Sequence, residues 1–262
     1  QTGAKINYTG TNYNSDFNPD LSLQAFFAGQ FNFSEKIWAR TEFSIDTQDL
    51  IDENIFNEGT GTTFRIEEIS LVLKGDLLNS INYFNTFLGT YEQIGSDIFL
   101  QKYFGIEPVA SKLTTSWLGL SGSNLYKQSG LGLGDVLKFK NIPIALGLYT
   151  YFNSDSLNNI DSNVFVFNTD IRFATTLQYF TLDLLCGIGL PLPPQNPDFL
   201  IAIEKAYWHA GANILIGNNY TQSLFFQLGI FNAEFKKESV NILTESLYLL
   251  FEPRLNFGNW NM

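Results

Sequence analysis

Three arginines stand two residues from an acid on the same side of an extended chain: Arg40 with Glu42, Arg172 with Asp170, and Arg254 with Glu252; the fourth, Arg65, is followed by both Glu67 and Glu68, which breaks the alternation there unless a β-bulge restores it. Lys74 and Lys138 occupy comparable places in runs of alternating residues, and Asp183 lies in the run that follows Arg172. Guanidinium and carboxylate groups gathered on one polar face can do either of two things. They can pair and brace the interior, or, where water reaches them, they can form a constriction that selects solutes by charge. Residues at i and i+2 lie about 7 Å apart along a strand, against about 5 Å across neighbouring strands. Cross-strand partners are therefore expected to make the closer bridges.

Other candidates for chemistry are weaker. His209, in AYWHAGAN, is the only histidine, so a multi-histidine metal site is ruled out. Its parity with Tyr207 and Asn213 puts it on the polar face, and no serine or acid cluster beside it in sequence completes a hydrolytic set. GLGLGD at 130 to 135 lacks the lysine and helix of a phosphate loop and reads as a glycine-rich strand. A lone Cys186 excludes an internal disulfide and fits a small apolar role beside Leu184 and Ile188. The net charge of -11 argues against a nucleic-acid partner. No enzyme activity, cofactor or metal is expected.

The elements that must hold these residues are strands. In 21 to 33, Leu21, Leu23, Ala25, Phe27, Gly29, Phe31 and Phe33 share one parity; after Ser34 to Lys36, Ile37, Ala39, Thr41, Phe43 and Ile45 alternate with Trp38, Arg40, Glu42, Ser44 and Asp46. Period two on both sides of a short break is a hairpin. Strands of about ten to thirteen residues recur at 37 to 46, 63 to 75, 81 to 91, 129 to 139, 143 to 152, 163 to 174, 180 to 190, 203 to 216, 221 to 235 and 245 to 257, with 4 to 10 as a first strand. Common globular strands have about five or six residues. Bilayer-spanning strands need about nine to eleven.

Short breaks at 34 to 36, 76 to 80, 140 to 143, 176 to 179 and 217 to 220 alternate with long ones at 47 to 62, 92 to 128, 153 to 163, 191 to 202 and 236 to 244. Aromatics mark both ends of the strands: Phe31, Phe33, Phe139, Phe173, Phe180, Tyr220, Phe257 and Trp260 near the short breaks, and Phe43, Phe64, Tyr91, Phe152 and Phe165 near the long ones. In the longest break, GSDIFLQKYFGIEP is a short amphipathic stretch with Ser96 or Asp97 as N-cap and Gly105 as stop, which predicts a helical turn in or over one end. KLTTSWLGL, further along the same break, also alternates.

On strand length, parity and loop asymmetry, the whole chain resembles a bacterial outer-membrane β-barrel protein, though the closing LNFGNWNM departs from the terminal aromatic of such proteins by ending in Met262. The resemblance implies one transmembrane domain over residues 1 to 262, an antiparallel up-and-down barrel of twelve strands with ten or fourteen as alternatives, short periplasmic turns and long extracellular loops. Gln1 would then follow a removed signal segment. Arg40, Glu42, Lys74, Lys138, Asp170, Arg172, Asp183, Glu252 and Arg254 would form a lumenal charged ring, since basic residues facing lipid at mid-bilayer cost about 2 to 4 kcal/mol each. The expected function is a porin-like channel for small hydrophilic solutes. The alternative is a structural or assembly component with a plugged lumen that binds another protein. Outer-membrane lipid is the expected surroundings.

Overall fold

The structure is a computed structural model, described here for all residues except 1, 14–15, 48–61, 95–97, 107–108, 110, 112–125, 154–164, 193–205, 219–220, 237–238, 242–246, 258–259 and 262. The expected alternation in KLTTSWLGL and most of the long breaks fall outside the described residues. The chain is all-β, with strands running antiparallel and up and down in chain order. It divides into two compact units, Gln1–Val72 and Leu73–Met262.

In the first unit, β1 (Thr2–Tyr13), β2 (Asp16–Ser34), β3 (Ile37–Asp46) and most of β4 (Thr63–Leu77) follow one another. Phe27 stands opposite Phe43 and Gln30 opposite Arg40, so each face of the β2–β3 hairpin keeps its character across the pair. The β1–β2 hairpin departs from expectation. Tyr13 pairs with Asp16 and Gly10 with Pro19, so both strands extend beyond the expected 4 to 10 and 21 to 33.

The second unit continues from the end of β4 through β5 (Ser80–Ile94), α1 (Ile98–Phe104), β6 (Tyr126–Phe139), β7 (Ile144–Asn153), β8 (Phe165–Leu177), β9 (Phe180–Leu192), β10 (Ala206–Gly217) and β11 (Ser223–Lys236). From β5 to β11 neighbours in sequence are neighbours in the sheet. The short β12 (Ser239–Asn241) and β13 (Leu247–Arg254) both pair with β11. A small hairpin of β14 (Asn256–Phe257) and β15 (Trp260–Asn261) ends the chain. Among the described residues, neither unit's sheet closes on itself.

Strand bounds follow the expected ones closely, and the short turns fall where they were expected. The β10–β11 turn depends on Gly217 at φ +107, where a side chain would meet the Gln222 carbonyl. Asn218 N–H donates to that same carbonyl at 3.0 Å and Gly217 N–H to the Tyr179 carbonyl at 2.9 Å, which tie this turn to its neighbour.

The faces of the second unit have opposite polarity to those of an ordinary soluble sheet. On β6, Leu131 and Leu133 are exposed while Gly132, Gly134 and Val136 are buried; on β8, Ile171 is 61% exposed while Asp170 and Arg172 are fully buried. Leu148, Phe152, Phe165, Leu228, Leu249 and Phe251 extend the exposed apolar face. Soluble monomers rarely expose so many large apolar side chains on one face. One expected rim aromatic does not belong to it. Tyr91 is buried, stacked on Phe87 at 4.9 Å between centroids, because a register shift between Thr90 and Glu92 reorients the end of β5.

Candidate functional site

The buried face of the second unit is built on glycines set between large side chains. Gly132 lies opposite Phe87 on one side and Tyr151 on the other, and Gly134 lies likewise between Asn85 and Tyr149. A Cβ at Gly132 would fall 2.5 Å from Tyr151 Cβ and 2.6 Å from the Phe87 ring, so those rings fill the space that the glycine leaves. GLGLGD is therefore a strand whose glycines receive aromatics.

The same device joins Asp170 to His209. They stand on β8 and β10, two strand spacings or roughly 10 Å apart, and both register with Gly187 on the strand between. Across that bare backbone His209 Nε2 lies 2.9 Å from Asp170 Oδ1. Gln128 Nε2 and Tyr151 Oη each donate to Oδ2 at 3.1 Å. All four side chains are buried, and three partners satisfy a carboxylate that would be costly to bury alone.

With Asp170 engaged in this way, Arg172 turns to the next strand. Its Nε and Nη2 donate to the two oxygens of Asp183 at 2.8 and 2.6 Å, a bidentate fork with neither side chain exposed. The ring of Phe99 covers the guanidinium, 4.1 Å from its carbon to the ring centre.

Phe99 comes from α1, the helical turn expected in the longest break. IFLQKYF gathers Phe99, Leu100 and Tyr103 on one face, and all three are buried. Gly105, at φ +66, ends the helix with its N–H on the Gln101 carbonyl at 2.9 Å. The expected caps Ser96 and Asp97 lie outside the described residues. Tyr103 packs edge-on to Tyr83 at 5.0 Å, Lys102 Nζ donates to Tyr91 Oη at 2.7 Å, and Lys138 reaches over Phe104 at 5.6 Å. Beyond the helix, Ser111 donates to Glu252 Oε2 at 2.7 Å. Burying Phe99, Leu100 and Tyr103 contributes about 1.5 to 3 kcal/mol for each large apolar side chain.

The residues expected to form one ring are distributed as follows. In the first unit Arg40 bonds Glu42 along its own strand and approaches Glu68 at 3.4 Å, with Arg40 still 38% exposed. In the second, Arg172 pairs with Asp183, Arg254 Nε donates to Glu252 at 2.7 Å, Asp170 joins His209, Lys138 faces α1, and Lys74 is half-buried. Within that unit Arg172–Asp183, Arg254–Glu252 and Asp170–His209 are separate pairs, of which α1 covers the first through Phe99. The expectation that cross-strand bridges would be closer holds for Arg172 but not for Arg40 or Arg254. An arginine side chain is long enough to fold back along its strand, and the Phe225 ring holds Arg254 there at 4.7 Å. Sequence reasoning missed Gln128, Tyr151, Phe99 and Ser111, and it did not bring Glu68 to Arg40. The glycine spacing was the one available signal, since each inward glycine marks a place where flanking strands send large side chains.

The exposed face opposite this site holds one broad, mostly apolar groove of about 810 Å³, whose lining includes Phe173, Leu184, Trp208, Ala212, Leu228 and Leu249. No family model, curated protein or solved structure matches the chain.

Proposed function

We propose that the chain spans a bacterial outer membrane as an antiparallel β-barrel of twelve spanning strands, β1 to β11 with β13, whose interior is occluded. Its role is that of a structural or assembly component that presents its wall or loops to another protein. The inverted polarity supports the membrane setting: exposed Leu and Phe suit hydrocarbon, and a sheet there must close because no water satisfies open edges. The short turns are then periplasmic. The observation that carries the occluded reading is the seat of α1. A water-filled passage needs wet charges, whereas Arg172 and Asp183 have no exposed side-chain surface and lie beneath Phe99.

A second reading, a channel for small hydrophilic solutes, is favoured by the charges of the buried face, which would line a passage if α1 left it. The two separate in planar bilayers. The occluded reading expects almost no conductance at low voltage and a stoichiometric protein partner in mild-detergent extracts. Steady conductance that shifts toward cations on replacing Arg40 and Arg172 by Gln would favour the channel. The membrane setting has its own test. In a Cys186→Ser background, cysteines at Leu228 and Leu249 should resist aqueous thiol reagents in vesicles and react with membrane-soluble ones. Rapid aqueous labelling at both, with the chain soluble without detergent, would refute it.

A further inference from the structure

We propose that α1 is a displaceable plug and that Lys102 makes its seat sensitive to membrane voltage. The inference rests on the occluded-barrel reading and adds a motion to it.

The argument starts from how α1 is held. Its contacts with the wall are Phe99 on the Arg172 guanidinium, Tyr103 against Tyr83, Phe104 under Lys138 and Lys102 on Tyr91, and Phe99, Leu100 and Tyr103 are buried in one apolar cluster with Phe87, Tyr91 and Tyr149. The wall beneath is complete without the helix. Arg172 keeps its bidentate partner Asp183, and Asp170 keeps His209, Gln128 and Tyr151. Withdrawal of α1 would uncover ion pairs already formed, at the cost of the burial of Phe99, Leu100 and Tyr103, so an applied force is needed to unseat it. Seven residues, about 10 Å of helix, depend on the wall for their order. The element is also chemically distinct from the sheet it covers. IFLQKYF carries a single charge, the Lys102 ammonium, which lies 4.5 Å from the Tyr91 ring centre and 5.0 Å from that of Tyr103.

A charge on an element that moves through an occluded barrel does work against an applied field. If Lys102 crossed the whole field, the ratio of open to closed states would change by up to about 50-fold per 100 mV, and proportionally less for a partial crossing. Opening should therefore favour one polarity.

The test uses the full chain in planar bilayers, with flotation in phosphatidylcholine vesicles to verify insertion. Wild type should be closed at low voltage and open in steps under one polarity. Lys102→Met keeps the length of the side chain and removes its charge. It should flatten the voltage dependence even where loss of the Tyr91 bond raises basal opening, so the readout is the slope and not the level. Phe99→Ala with Tyr103→Ala should open at low voltage while the Lys102-dependent slope persists. An unchanged slope in Lys102→Met would overturn the voltage role. Silence of an inserted Phe99→Ala/Tyr103→Ala protein at every voltage would overturn the plug and leave the occluded barrel intact. Failure of wild type to insert would overturn the underlying reading as well.

Discussion

Arg40 and Arg172 have the same local context, an acid two residues away on the same face, and the structure resolves them in opposite ways. Arg40 takes its own-strand acid Glu42 and stays partly in solvent. Arg172 leaves Asp170 to His209 and forks onto Asp183 with no surface exposed. The difference comes from what lies on the neighbouring strands. Opposite Asp170 is Gly187, which lets His209 reach across, and opposite Ala174 is Asp183, diagonally placed for the guanidinium. A charge pair in such a sheet is decided by residues that are remote in sequence.

Breaking the second pair should have the largest effect. Asp183→Ala leaves a buried guanidinium without its counterion and should cost about 3 to 5 kcal/mol, measured by urea unfolding of the vesicle-bound protein through its tryptophan fluorescence. Arg172→Met combined with Asp183→Leu should recover most of that loss, because an apolar pair of similar volume avoids the desolvation cost. If the double variant is as unstable as the single one, the pair contributes through geometry that a hydrocarbon cannot replace.

Gly187→Ala should come next, at about 1 to 3 kcal/mol, because the new methyl would lie on Asp170 Oδ1 and His209 Nε2. An unaltered unfolding midpoint would mean that the His209–Asp170 contact yields without consequence. The smallest effect belongs to Arg40→Gln. With both partners about a third exposed, solvent screens the pair and the loss should be about 1 kcal/mol or less. A loss equal to that of Asp183→Ala would erase the contrast between the two arginines.

These contrasts also mark what the sequence made legible. Strand positions and the facing of Arg172, Asp183 and His209 followed from period-two alternation, a local property that needs no knowledge of neighbours. The α1 turn was visible through its amphipathic spacing and Gly105. Its seat on Arg172 was not, because the path of the chain from β5 into the sheet's concealed face leaves no periodic mark. The partners of Asp170 were hidden for a related reason. Gln128 and Tyr151 reach it through the stagger of β6, β7 and β8, and stagger is set by the whole sheet. The full length of the β1–β2 pairing was not legible, since Asp16, Asn18 and Pro19, residue types uncommon in strands, pair with Tyr13, Thr11 and Gly10.

The glycines on β6 have a consequence for exchange with deuterated solvent. A glycine amide ordinarily exchanges readily because no side chain shields it. Gly132 and Gly134 are instead roofed by Tyr151, Phe87 and Tyr149, so their N–H groups are reached only when whole strands part. In a deuterium pulse these two residues should be among the last in the chain to label, and the time at which they do would clock the opening of the sheet itself.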